Sequence, residues 1–289
     1  MAWSGSDLPG DQMHHILAAT DLSPRSDPAV ERAFRLAGRL GARLTVFTAV
    51  DDAMPARLAR VMLTEAEGHL TAFCERLSDG GRIGFETRVT QGDPVELVPD
   101  TVVAAGADLL ILGLHRRRAY LEGLRETTLE RALRIAGVPV LLVRNGARAD
   151  YRTVLAAVDF SPAATAAIRV AHALAPDATI RGVHAVEPSI TVALTGATRD
   201  ATLADAQAAC DRWMDQTPLP ALSRPEIRQG ELSPVFLAEF GRVAPDLVAL
   251  GAHARMGLVH RRLGSFAQEL LGDPPADVLF ALPQGWPED

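Results

Sequence analysis

Residues 247–265, LVALGAHARMGLVHRRLGS, decide how the chain is read. An apolar run, Leu247-Val248-Ala249-Leu250, halts at Gly251, and Gly264-Ser265 opens an amphipathic run after a basic connection. This is the pattern of a buried parallel strand, a glycine at its carboxyl end, a loop and a helix start. In an open α/β sheet the ligand crevice lies outside the carboxyl ends of the strands. A helix start adds unpaired N–H groups and the positive end of a dipole, so the stretch reads as an anion cradle.

Outward from that stretch, strand and helix patterns alternate. Residues 15–21 (HILAATD) read as a strand closed by Leu22-Ser23-Pro24. A helix over 28–40 follows, with Val30, Phe34, Ala37 and Leu40 on one face, and Gly41 stops it. Strands are expected over 44–50, 83–90, 108–112 and 138–143, and helices over 54–77, 95–105 and 128–135. The alternation specifies an α/β domain with a parallel sheet.

The pattern then repeats. Leu17-Ala18-Ala19-Thr20-Asp21-Leu22-Ser23-Pro24 returns as Leu155-Ala156-Ala157-Val158-Asp159-Phe160-Ser161-Pro162, a shift of 138 positions. The same shift carries Gln91-Gly92 onto Gln229-Gly230, Asp108-Leu109 onto Asp246-Leu247, and Leu112-Gly113 onto Leu250-Gly251. It also carries His115 onto His253 and Val140-Leu141 onto Val278-Leu279. The chain is a tandem duplication, with domains over 12–145 and 150–289.

Composition narrows the chemistry. The 289 residues carry a formal charge of −7, which argues against a nucleic-acid partner. All 29 basic residues are Arg, so Schiff-base chemistry, a Ser-Lys dyad and a Walker-type phosphate loop are excluded together. Cys74 and Cys210 have neither metal nor redox spacing, and the scattered histidines suggest no metal site. No secretory signal or membrane-length apolar run is legible, so a cytoplasmic protein without membrane contact is expected.

On these residues the whole chain resembles a tandem universal stress protein. That family's nucleotide motif is Gly, two residues, Gly, nine residues, then Gly-Ser or Gly-Thr. The second half reads Gly251-Ala252-His253-Ala254, nine residues, Gly264-Ser265, with Asp159 ending its first strand. The resemblance implies adenine near Asp159 and near Ala185 at the end of the second strand, with the triphosphate over the glycine loop and helix start. Leu250, Gly251, Ala254, Gly264, Ser265 and Phe266 would line an adenine nucleotide, ATP with or without Mg2+. Arg255, flanking the loop, would meet phosphate oxygens. The resemblance also implies two flavodoxin-like (Rossmann-like) α/β domains, each a five-stranded parallel sheet of order 3-2-1-4-5 sandwiched by helices. The halves would pair through their last strands as an internal pseudo-dimer, and a further homodimer is compatible with this.

The match has departures. Ala254 replaces the second glycine, which costs on the order of 1 kcal/mol if that position is left-handed. In the first half only Gly113 survives. Arg116 and Glu126 replace the other glycines, Thr127 holds the Ser place, and the Glu126 charge would repel phosphate. The first half is therefore expected not to bind nucleotide.

Each residue also has a plainer reading. Asp21 and Asp159 precede Ser-Pro and suit turn-capping carboxylates. Ser265 with Gln268, and Thr127 with Glu130, have capping-box spacing. His115 and His253 are as consistent with inherited structure as with function. No catalytic set emerges. The first expectation is a stress-response protein that binds ATP in its second half as a regulatory ligand. The alternative is a nucleotide-independent interaction protein that kept the fold, bound its partner protein and lost the site. Slow ATP hydrolysis or autophosphorylation at Ser265 is a third reading.

Overall fold

The structure, a computed structural model, describes residues 13–52, 55–114, 131–132, 135–144, 146–147, 149–187, 199–219, 221–252 and 265–283. The chain separates into two compact units that divide between Asp150 and Tyr151.

The first unit runs β1 (His15–Ala19), α1 (Asp27–Leu40), β2 (Arg43–Val50), α2 (Ala56–Leu77), β3 (Glu86–Gln91), α3 (Pro94–Ala105), β4 (Leu109–Gly113) and β5 (Val140–Val143). The second runs β6 (Thr153–Ala157), α4 (Pro162–Leu174), β7 (Thr179–Val186), α5 (Arg199–Gln216), β8 (Glu226–Gln229), α6 (Leu232–Val243), β9 (Leu247–Gly251), α7 (Ser265–Gly272) and β10 (Asp277–Ala281). Strand order is β3-β2-β1-β4-β5 in the first unit and β8-β7-β6-β9-β10 in the second, with parallel pairing throughout each. Both are the expected 3-2-1-4-5 order. The helix expected over 128–135 lies largely outside the described residues.

The central strands are the cores. Ile16, Leu17 and Ala18 of β1, Leu109 to Ile111 of β4, Val154 to Ala156 of β6 and Val248 and Ala249 of β9 are fully buried. Strands covered on both faces read as continuous apolar runs, and these do. Helix boundaries follow local chemistry. Pro28 sits in the first turn of α1, and Gly41 ends that helix in the left-handed conformation at φ 65°. The Asp93 side chain accepts from the Val95 N–H at 2.8 Å to start α3, and the Ser161 side chain accepts from Ala164 N–H to start α4. The outer strands β3 and β8 carry the ion pairs Glu86–Arg88 and Glu226–Arg228, charges that discourage pairing with another chain.

The largest boundary difference from expectation has a clear reason. The third strand begins at Glu86, three residues late, because Ile83 and Phe85 pack on α1 instead. Phe85 meets Phe34 edge-on at 5.6 Å, and the Ile83 side chain lies over Gly38. Their apolarity serves helix packing.

The repeated Asp-Leu pair also has a structural job. Asp108 accepts from the His14 and His15 N–H groups at the start of β1, the latter at 3.0 Å. Asp246 accepts from Arg152 N–H at 2.8 Å and Thr153 N–H at 3.1 Å at the start of β6. Each carboxylate clamps the first strand to the fourth at the edge opposite the expected crevice. Cys74 and Cys210 are buried free thiols, and burial pushes the Cys74 thiol up to about 12. Among the described residues no helix is long and apolar enough to cross a membrane, and no cluster of three metal-ligating side chains forms.

Candidate functional site

In the second unit β6 lies between β7 and β9. From β6 the chain moves first to one side, into β7 and β8, and later returns to the other side as β9 and β10. The gap between the carboxyl ends of β6 and β9 is thus the topological switch point, where open α/β sheets take ligands. Asp159 follows β6 and Gly251 ends β9, on strands in direct register through Ala157 and Leu250. The crossover from β9 to β10 makes α7 begin at the same edge, with Ser265 exposed at its first position.

Asp159 is exposed, and its Oδ1 accepts from the Ser161 N–H at 3.1 Å, closing an Asx turn. The turn places Phe160 in the left-handed region at φ 63°. Its counterpart in the first unit is the same turn: Ser23 N–H donates to Asp21 Oδ1 at 3.0 Å, and Leu22 has φ 58°. The surroundings differ. Ser26 Oγ donates to Asp21 Oδ1 at 2.7 Å and lies 2.7 Å from Thr20 Oγ1, whose oxygen also accepts from Leu22 N–H at 3.0 Å. The equivalent positions in the second unit are Ala164 and Val158, which bring no hydroxyl.

Gly251 has a packing role independent of any ligand. A Cβ there would lie 2.5 Å from the Ala163 carbonyl carbon and 2.6 Å from the Ala164 nitrogen, in the first turn of α4. Gly113 meets α1 in the same way, 2.9 Å from the Ser26 Cα. In both units only glycine lets the first helix cross the end of the fourth strand. Leu250 is 3% exposed, so its side chain belongs to the core. Phe266 turns its ring edge-on to the buried Phe236 of α6 at 5.0 Å. Ala185, half-buried on β7, pairs with Arg228 of β8. The helix begins at Ser265, so Ser265 stands one place inside the cap position that its spacing to Gln268 suggests. Ala254, Arg255 and Gly264, together with His115, His253, Arg116, Glu126 and the Thr127–Glu130 pair, lie outside the described residues.

An aromatic group at this edge is not legible in the sequence. The Phe160 ring lies 4.4 Å from the His184 ring of β7 and 5.8 Å from the Trp213 ring of α5. In the sequence His184 is one scattered histidine, and the three residues are too far apart for spacing to join them.

The model of the universal stress protein family matches the chain twice, over residues 13–144 and 150–281. No curated protein sequence matches it. Among solved structures, a universal stress protein from Archaeoglobus fulgidus is similar over 96% of this chain and 100% of its own, at 16% identity and a TM-score of 0.70. One described as a putative universal stress protein from Pseudomonas aeruginosa is 18% identical over 94% of each chain, with a TM-score of 0.66. A universal stress protein in complex with cAMP is similar over 45% of this chain and 97% of its own, at 24% identity and a TM-score of 0.38.

Proposed function

The chain belongs to the universal stress protein family, and from that premise we propose that its second half binds an adenine nucleotide, ATP with or without Mg2+, as a regulatory ligand in a cytoplasmic stress response. The observation that carries the reading is that β6 and β9 are neighbours at the switch point of the second sheet, with Asp159 just after the carboxyl end of one and Gly251 at the carboxyl end of the other. Asp159 would face the base and ribose, with Ala185 beside it. The loop from Gly251 through Ala254 and Arg255 to Gly264-Ser265, and the backbone at Leu250 and Phe266, would face the phosphates. The start of α7 suits an anion because its first N–H groups lack partners within the helix. In the first half Ser26 donates to Asp21 and Glu126 replaces the motif's third glycine in sequence, so that half is the one not proposed to bind nucleotide.

A second reading rests on a specific observation: several of the candidate residues have structural work of their own. Gly251 admits α4, Leu250 fills the core, Phe266 packs on Phe236, and Asp159 closes a turn. Such a site persists in a protein that acts by binding another protein alone. Titration with Mg-ATP of Asp21→Ala beside Asp159→Ala separates the two. Binding that survives Asp21→Ala and falls away in Asp159→Ala supports the nucleotide reading; the reverse pattern, or none, defeats it.

A further inference from the structure

We propose that Phe160, His184 and Trp213 form a positioning set that orients the Asp159 carboxylate toward the crevice and couples that crevice to helix α5. The inference deepens the nucleotide reading above and rests on it.

The starting point is backbone strain. Phe160 adopts φ 63°, a conformation that costs a residue with a Cβ on the order of 1 kcal/mol. Glycine would hold the same turn without that cost, so the ring itself supplies what offsets it. The ring is held on two elements. It stacks at 4.4 Å and a 33° tilt on His184 of β7, and sits 5.8 Å from Trp213 of α5 at 53°. Aromatic pairs at these separations are favourable beyond their buried area.

His184 also acts on the other side of Asp159. Its Nδ1 lies 2.7 Å from the Val158 carbonyl oxygen. A carbonyl only accepts, so Nδ1 carries the proton and donates. The peptide before Asp159 and the side chain after it are thus both anchored through one imidazole. Trp213, 7% exposed, donates from its indole N–H to Thr165 Oγ1 of α4 at 3.1 Å. Contacts therefore run continuously from Asp159 through Phe160 to α5 and back to α4.

The first unit shows the alternative solution. Leu22 adopts the same left-handed turn at φ 58°, and by strand register Thr48 stands where His184 does. There the turn is held from within, by Thr20 and Ser26 hydroxyls, one of which donates to the Asp21 carboxylate itself. In the second unit aromatic rings hold the turn from outside, and Ala164 brings no hydroxyl to the carboxylate. The unit with the nearly intact glycine motif is the one whose aspartate is held in this way.

The test uses the full chain with Trp3 and Trp286 changed to Phe, leaving Trp213 as the sole tryptophan. Mg-ATP affinity is measured by calorimetry, and Trp213 emission is followed in the same titration. Phe160→Leu copies the first unit's own residue at a turn that Leu22 tolerates, and Phe160→Tyr keeps the ring. The expected result is an emission change on binding, about tenfold weaker affinity with loss of that change in Phe160→Leu, and recovery of both in Phe160→Tyr. Loss of affinity that Tyr does not restore marks a general packing effect and overturns the proposal. So does Phe160→Leu binding as tightly as the parent, or a Trp213 signal that ignores saturating Mg-ATP; either leaves the nucleotide reading standing. A parent protein that takes up no nucleotide overturns both.

Discussion

Replacing Gly251 by Ala tests whether the motif's first glycine is there for packing. The added Cβ would lie 2.5 and 2.6 Å from backbone atoms of Ala163 and Ala164, and 2.9 Å from the Ala163 Cβ. Carbon atoms settle at about 3.5–4.0 Å, so the first turn of α4 must retreat by about 1 Å. That turn cannot retreat freely, because Ala163, Ala164, Ala167 and Ile168 are each no more than 2% exposed. Overpacking of this kind costs about 2–3 kcal/mol, roughly 10 °C in melting temperature for a unit of this size. Gly113→Ala meets Ser26 less closely, at 2.9 Å to Cα and 3.2 Å to Cβ, and is expected to cost about half as much. Urea unfolding without nucleotide, in the chain with Trp3 and Trp286 changed to Phe, measures both, with far-ultraviolet circular dichroism following the whole chain and the emission of buried Trp213 the second unit. If Gly251→Ala stays within about 0.5 kcal/mol of the parent, the packing argument is refuted and the glycine is there for a ligand.

Other consequences follow from single sites. Gly68 lies inside α2, where an added methyl would meet nothing within 4 Å beyond its chain neighbours and the helix's own nearby backbone, so Gly68→Ala is expected to stabilise the first unit by about 0.5–1 kcal/mol, seen as a higher urea midpoint. His15, whose ring bridges the Ala105 carbonyl and the Thr45 hydroxyl, has its pKa lowered by burial first and by Arg43 second. The unfolded chain therefore binds this proton more readily, so stability is complete above about pH 6.5 and declines as pH falls below it. His15→Thr, which copies Thr153, should flatten that decline in a series of unfolding curves between about pH 7 and pH 5. The Cys74 thiol, buried and pushed up to about 12, should resist iodoacetamide at about pH 8 in the native protein and react once urea unfolds it.

The fold is legible in the sequence because both of its signals are local or repetitive. Buried parallel strands are continuous apolar runs, and a shift of 138 positions makes each half a check on the other. The start of the third strand is misplaced because apolarity alone does not say whether Ile83 and Phe85 face a sheet or a helix. At the candidate site, Asp159 and Gly251 are singled out by the motif, and their placement at the carboxyl ends of neighbouring strands follows from strand order. What is not legible depends on contacts remote in sequence. Asp108 and Asp246 are visible as repeated residues but not as clamps between first and fourth strands. Gly251 looks like a ligand-binding glycine, and its requirement by α4 needs three-dimensional placement. Phe160, His184 and Trp213 meet only because β6, β7 and α5 converge at the carboxyl edge.

The central claim is that one half of this duplicated chain binds nucleotide and the other does not, and the stoichiometry of Mg-ATP binding tests it most directly. Calorimetry on the intact chain, beside Gly264→Glu, which copies Glu126 into the second half, reads this number. One site per chain with a Kd on the order of micromolar, abolished in Gly264→Glu, is the predicted result. Two sites, one site that survives Gly264→Glu, or no heat of binding would contradict the account.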